Sequence, residues 1–360
     1  MLADLRTLTR SFTRGDAYPA SNIAKLIDAR VFASPFSREL GGASVTLAEA
    51  VEIVETIAAA CPSTGLLTAM PLGLAGTVAV APDLAPAAHR AAASAQREAI
   101  AADYQAGKIY AACNSEKGAG GSLAATKTVA DKDGSGAFVL SGEKILASFG
   151  RHADVFFSTA KVSQQDLPGG GVVEFFLVPA RGAGVSVLDD WNGFGMRGTE
   201  SHTVRYASAR ATAPLGFPNF IETARPLEIW FCLFAAVPLG CTAAMLRALG
   251  SPAPTSPALR LRLSEAQMRY EAARAYLLET ASMYRPGCDA PTRARVLRTK
   301  TFVAQESARL CADLFALSGG RHYVQGGVLA GAMADVFAGA ALRPPLALAL
   351  DMLVDGFAVE

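Results

Sequence analysis

Between about Lys108 and Thr212 the sequence changes its period, and that change most narrows the folds open to this chain. Segments such as 126–131, 137–143, 154–162, 172–180 and 202–210 are short and rich in Val, Phe and Thr. Side chains of that kind suit a pleated, half-buried surface. Turn signals separate them, at Asp133-Gly134, at Pro168 to Gly171 and at Arg181-Gly182. The stretch predicts a compact β-barrel or sandwich.

On both sides of it the spacing is helical. Thr46 and Glu49 stand in capping-box relation and start a helix through residues 51–60, which Pro62, Ser63 and Thr64 break. Downstream, Leu263, Tyr270, Leu277 and Tyr284 recur every seven residues, with Ala266 and Ala273 on the same face. Val296, Val303, Leu310 and Leu317 repeat the pattern. Such stripes predict the seams of an antiparallel bundle. Ser264 and Gln267 form a second capping-box pair. The expected class is α+β, in three domains: N-terminal helical (1–107), central small β-barrel or sandwich (108–212) and C-terminal helical bundle (213–360).

Composition removes several functions. Hydrophobic residues are 51% and charged residues 18%, which excludes a disordered chain. The balance of 33 basic and 32 acidic residues, without charge runs, argues against nucleic acid or an anionic membrane surface as main partner. Six scattered cysteines without a CxxC pair, and four histidines without ligand spacing, disfavour disulfides and metals and fit a reducing cytoplasm. The N-terminus has no apolar signal region. Two uncharged stretches, 56–82 and 229–246, are long enough to span a bilayer, but Pro62, Pro71, Pro238 and several glycines interrupt them. We read them as buried helices of a cytoplasmic protein.

Ordered motifs add a resemblance. Pro35 to Gly42 is a proline-to-double-glycine entrance, and Cys61-Pro62-Ser63-Thr64 follows it. Ser115 to Ser122 (SEKGAGGS) runs on to Lys127-Thr128, and Ser141 to Ser148 reads SGEKILAS. His152-Ala153-Asp154, Gly195 to Ser201 (GMRGTES), Ser318-Gly319-Gly320 and Asp335 complete the series. In this order and spacing the chain resembles the acyl-CoA dehydrogenase superfamily. The glycine-rich turn at 118–121, taken alone, reads equally as a plain surface loop.

The resemblance implies FAD, with FMN as the alternative, held by Ser115, Gly120, Leu146, Ser148, Gly319 and Gly320. Ser115 offers a hydroxyl, and the small residues let backbone approach a flat ring. Ser148 falls where the family hydrogen-bonds the flavin N5 side. Leu146 takes the place of the tryptophan that usually backs the ring. It further implies a homo-oligomer, tetramer or dimer, and an electron-transfer flavoprotein or flavin reductase as partner.

Departures shape the functional expectation. The inter-subunit arginine motif is replaced by residues 251–263, with Arg260 and Arg262 as substitutes of different geometry, and Ala316 replaces a glutamine. The family's catalytic glutamate falls on Arg343, which cannot accept a proton. A second family position for it falls on Trp230, two residues from Glu228. Three functions are expected in this order. The first is α,β-dehydrogenation of an acyl thioester with an unrecognised base. The second is a two-component flavin monooxygenase of the same fold, acting on another organic substrate, which needs no such base. The third is an inactive assembly subunit.

Overall fold

A computed structural model describes residues 2–323 and 327–355. Five helices come first: α1 (Leu2–Thr9), α2 (Ala20–Asp28), α3 (Leu47–Ala60), α4 (Pro62–Leu84) and α5 (Arg90–Gln105). The capping box at α3 forms as expected, Glu49 N–H donating to the Thr46 hydroxyl and Thr46 N–H to the Glu49 carboxylate. Cys61 in extended conformation, with Pro62 at the first position of α4, separates α3 from α4.

Eight strands follow: β1 (Tyr110–Ala112), β2 (Val129–Lys132), β3 (Phe138–Ala147), β4 (Val155–Val162), β5 (Val173–Pro179), β6 (Val185–Val187), β7 (His202–Arg210) and β8 (Ala213–Pro214). They form one mixed sheet in the order β6-β7-β3-β2-β4-β5-β8, with β1 parallel to β4. The five segments expected from composition are β2, β3, β4, β5 and β7. The three others are two or three residues long, too short for any period to register. Strands β4 and β5 are buried on both faces, with Phe156, Phe157, Phe175 and Phe176 almost wholly enclosed.

The C-terminal part holds α6 (Phe220–Ala224), α7 (Leu227–Gly250), α8 (Pro257–Met283), α9 (Ala290–Leu317), α10 (Val328–Val336), α11 (Ala338–Ala341) and α12 (Leu346–Asp355). Val296, Val303 and Leu310 of α9 are buried, as are Ala266, Ala273 and Leu277 of α8. Leu317 is exposed at the end of its stripe.

Two expectations are corrected. Pro71 and Pro238 do not interrupt α4 and α7, which run through them. Glycines within these helices serve close approach: a Cβ on Gly73 would lie 2.1 Å from the Trp230 indole, and one on Gly240 would lie 2.6 Å from Ala58 Cβ. Tertiary packing outweighs local helix propensity here. Both helices are long and apolar enough to cross a membrane, and most of each is buried inside the molecule. The second correction concerns Ser264, which lies inside α8 and donates back to the Arg260 carbonyl. Ser256 caps that helix, accepting from Leu259 N–H, with Pro257 at the first helical position.

Candidate active site

A cavity of about 370 Å³ lies between the sheet and the helices that follow it. On α7 its wall is Leu227, Trp230, Phe231 and Phe234, the one face that spacing of three and four residues produces. Leu66 and Met70 of α4 continue it, and Phe337, Ala338, Ala341, Leu342 and Arg343 close the far side. The sheet contributes Ala112, Asn114, Ser115, Leu146, Ser148 and Phe175. A loop from Trp191 to Ser201, with Ala334 of α10, supplies the rest.

That loop is sewn to α10. Met196 N–H donates to the Asp335 carboxylate at 2.6 Å, and a Cβ on Gly195 would lie 2.4 Å from the Ala334 carbonyl oxygen. Only glycine fits so close an approach. Phe194 stands 78% exposed beside Phe337 at the cavity mouth, with ring centroids 6.4 Å apart.

Leu146 reaches the cavity through a bulge. The β3–β7 pairing slips between Lys144 and Ala147, and Leu146 takes a φ of +58°, unusual for a side-chain-bearing residue. Bulges re-aim side chains, and Leu146 is left 50% exposed against the cavity. Two residues on, Ser148 begins a chain of hydroxyls. The Thr199 hydroxyl donates to the Met196 carbonyl at 2.8 Å, Ser201 lies 2.7 Å from Thr199, and Ser148 lies 3.0 Å from Ser201. Each hydroxyl has one proton. With Thr199's spent on a carbonyl, Ser201 must donate to Thr199 and Ser148 to Ser201. Ser148 therefore faces the cavity as an acceptor.

Ser115, Leu146 and Ser148 thus meet at one cavity, Ser115 also bridging to Ile145 through its carbonyl. Gly120 lies apart on an exposed turn, with open space around it. Gly319 and Gly320 are likewise exposed, beyond the end of α9, and do not line the cavity. Neighbouring Gly121 packs on the C-terminal segment, where a Cβ would meet Pro345 Cδ at 2.5 Å.

Sequence reading missed the polar frame behind this wall. Glu116 accepts from Lys127 N–H at 2.6 Å, from Thr128 N–H at 3.1 Å and from the Thr128 hydroxyl at 2.8 Å. It also pairs with Lys144 at 2.6 Å. Burial pushes its carboxyl up, but the Lys144 and Thr128 hydrogen bonds prevail and hold it below the usual range. Burial lowers Lys144 in turn, against the pull of Glu116.

Among the described residues Arg343 is the one charged residue on the cavity wall. A guanidinium nitrogen donates to the Asn114 carbonyl at 3.3 Å. Burial brings its pKa down to about 10, opposed by Glu116, so it remains a cation at neutral pH. Lys300, 2% exposed, donates to the Leu342 carbonyl at 2.8 Å and to the Pro344 carbonyl at 2.6 Å, bracing both neighbours of Arg343.

No carboxylate lines the cavity among the described residues. Glu228 lies off the cavity-facing side of α7, in the field of Arg293 and Arg225, its carboxyl raised by burial. Asp335 is likewise raised by burial and is committed to the Met196 amide.

Residues 111–209 match the family description of the acyl-CoA dehydrogenase middle domain, and residues 241–342 match that of the acyl-CoA dehydrogenase C-terminal domain. The chain belongs to the acyl-CoA dehydrogenase superfamily. Among curated relatives of this superfamily member, the probable acyl-CoA dehydrogenase YngJ of Bacillus subtilis is 22% identical, over 86% of this chain and 82% of its own. A pigment production hydroxylase of Rhodococcus is 31% identical, over 51% of this chain and 40% of its own. Among solved structures, KijD3 in complex with FMN and an amino-keto dTDP-sugar superposes with a TM-score of 0.83 at 21% identity, covering 99% of this chain and 90% of that one. Butyryl-CoA dehydrogenase from Megasphaera elsdenii gives 0.81 at 17% identity, covering 99% and 97%. Helices, curled mixed sheet and C-terminal helices follow the acyl-CoA dehydrogenase-like architecture.

Proposed function

We propose that this chain is a flavin-dependent monooxygenase of its superfamily, using reduced flavin made by a separate reductase. The observation that carries this reading is the pairing of an acceptor-only Ser148 with a cavity that no carboxylate lines among the described residues. Reduced flavin carries a proton on N5 and oxidised flavin a lone pair, so an acceptor at Ser148 favours the reduced form. Residues at the wall suit the ring in other respects: Leu146 offers an apolar face, and the mouth is flanked by Phe194 and Trp191. Bound reduced flavin would, with dioxygen, supply the oxygen atom inserted into the substrate. The protein's part is to orient the ring through Ser148, hold the substrate body against Trp230, Phe231 and Phe234, and keep water out of an apolar pocket.

FMN is favoured over FAD. Arg260 donates to the Pro254 and Thr255 carbonyls, and Arg262 pairs with Glu265 at 2.8 Å. Both guanidiniums that stand near the missing pyrophosphate anchor are engaged locally. The relative named as a hydroxylase and the FMN of KijD3 support the same reading.

Dehydrogenation of an acyl thioester, passing electrons to an electron-transfer flavoprotein, is the second reading, favoured by the long alignment to YngJ. It requires a base within hydrogen-bond reach of the α-proton, and Arg343 cannot be one. An assembly of copies through the C-terminal helices belongs to either reading, since Leu261 and Met268 of α8 and Phe302 of α9 are exposed.

Purified protein reconstituted with FMN or FAD and mixed anaerobically with acyl-CoA esters separates the readings. No bleaching of the oxidised flavin, together with tighter binding of reduced than of oxidised FMN, is expected. Bleaching by any acyl-CoA would establish the dehydrogenase. A protein that takes up neither flavin would be the assembly subunit.

A further inference from the structure

Arg343 presents a full positive charge to a cavity whose other lining side chains are neutral. Behind it the Glu116 carboxylate favours the guanidinium at a distance, but its close partner is Lys144 at 2.6 Å, not Arg343. Among the described residues Arg343 has no ion-pair partner of its own. Its bond to the Asn114 carbonyl uses one of five N–H donors. An uncompensated charge against an apolar wall is costly, and the cost falls when an opposite charge arrives.

The backbone that carries the guanidinium is also held in place. Lys300 fixes the carbonyls on either side of it from a buried position on α9, so Arg343 projects from a braced turn rather than a loose tail. A braced cation facing Met70, Phe175, Trp230, Phe231 and Phe234 is a recognition arrangement: flat apolar body along the walls, acid at one end. One planar fork matches one carboxylate, two parallel N–H donors to two oxygens. A phosphate dianion would leave a negative charge unpaired in the same apolar wall.

We propose that Arg343 is the anion-recognising residue of this cavity, and that the substrate is an aromatic or similarly flat apolar molecule bearing a single carboxylate. This rests on the cavity being the reaction site of the monooxygenase proposed above, and names the substrate class it takes.

The test needs no turnover. Trp191 and Trp230 are the two tryptophans of the chain, and both line this cavity. A second cavity of about 370 Å³, among α3, α4, α7 and α8, has none. Tryptophan fluorescence therefore reports occupancy of the Arg343 site. Phenylacetate and its neutral isostere phenylacetamide serve as probes, titrated into the protein with and without FMN. A charge-assisted fork predicts that the acid binds about 30-fold more tightly than the amide. Arg343→Met should bring the two within roughly twofold, and Arg343→Lys should keep part of the preference, since lysine retains charge but not the fork.

Equal binding of acid and amide by the wild type, or binding of neither, overturns the proposal. So does a preference that survives Arg343→Met. If Arg343→Met fails to fold, the wild-type comparison and Arg343→Lys still decide. Loss of FMN affinity in the variants by the same factor as loss of the acid would assign the guanidinium to the flavin and also overturn it. A protein that prefers phenylacetate but takes no flavin would sink the monooxygenase reading, and the substrate class with it, and leave only the anion-recognising role of Arg343 standing. One that takes flavin and prefers the amide does the reverse.

Discussion

Glu116 and Lys144 meet at 2.6 Å with the lysine side chain wholly shut from water, and this pair ties the loop after β1 to the middle of β3. Removing one member of such a buried pair strands the other charge, at a cost of about 3–5 kcal/mol. Lys144→Met is expected to lower unfolding free energy by about that amount in urea titrations. Adding Glu116→Gln to it should recover part of the loss, because the stranded carboxylate is gone. A single substitution costing no more than an exposed pair, about 1 kcal/mol or less, would show the pair to be energetically idle.

Lys300 predicts an alkaline pH dependence. Its folded pKa lies at about 8, lowered by burial, against an unfolded value of about 10.4. Between those values the unfolded chain binds more protons, so stability contributed at this site rises with pH across that window and is flat below it. Lys300→Met removes the titrating group. The stability difference, wild type minus variant, should therefore grow from about pH 8 to about pH 10.4, measured by denaturant titration at each pH. A difference independent of pH would mean that the two carbonyl bonds fully offset the burial.

Ser148 should discriminate between flavin redox states. If its hydroxyl accepts from N5–H, Ser148→Ala weakens reduced FMN by about fivefold, the worth of one neutral hydrogen bond, and leaves oxidised FMN nearly unchanged. Anaerobic and aerobic flavin titrations of the same variant measure both. A larger effect on the oxidised form would reverse the proton direction argued for the Ser148–Ser201–Thr199 chain.

Gly73→Ala probes the wall from behind. Its new methyl would meet the Trp230 indole, whose face forms the cavity, so the ring must shift or the helices separate. Overpacking of this kind costs about 1–3 kcal/mol. A lower melting temperature together with changed tryptophan emission is expected. Gly120→Ala gives a contrast, since open space surrounds that Cβ and the strain lies only in its positive φ.

How far the sequence announced this architecture depends on length and on burial. Strands β2, β3, β4, β5 and β7 were legible because each is four or more residues long and sits in a segment rich in Val, Phe or Thr, whereas β1, β6 and β8 are too short to register. Pro71 and Pro238 misled because the local rule for proline says nothing of neighbours that hold a helix together. At the cavity, Leu146 and Ser148 were found through motif resemblance. The hydroxyl partners Thr199 and Ser201 lay inside another quoted motif, with no local sign that they would meet Ser148. Lys300 had a readable signal: it sits between Val296 and Val303 on the stripe of α9 that turns inward. A lysine on a buried stripe asks for partners, and here they are the carbonyls beside Arg343.

The two proline-containing helices carry a consequence for how the chain comes to be. Helix α4 packs on its sequence neighbours α3 and α5, but α7, which completes its cover, is synthesised roughly 140 residues later, after the whole sheet has emerged. Until then the face of α4 that meets α7 stays open, and nascent chains stalled or truncated before Leu227 would be prone to clump. Slow, cool expression and early holdase binding should matter more for the yield of this protein than for a bundle whose partner helices emerge side by side.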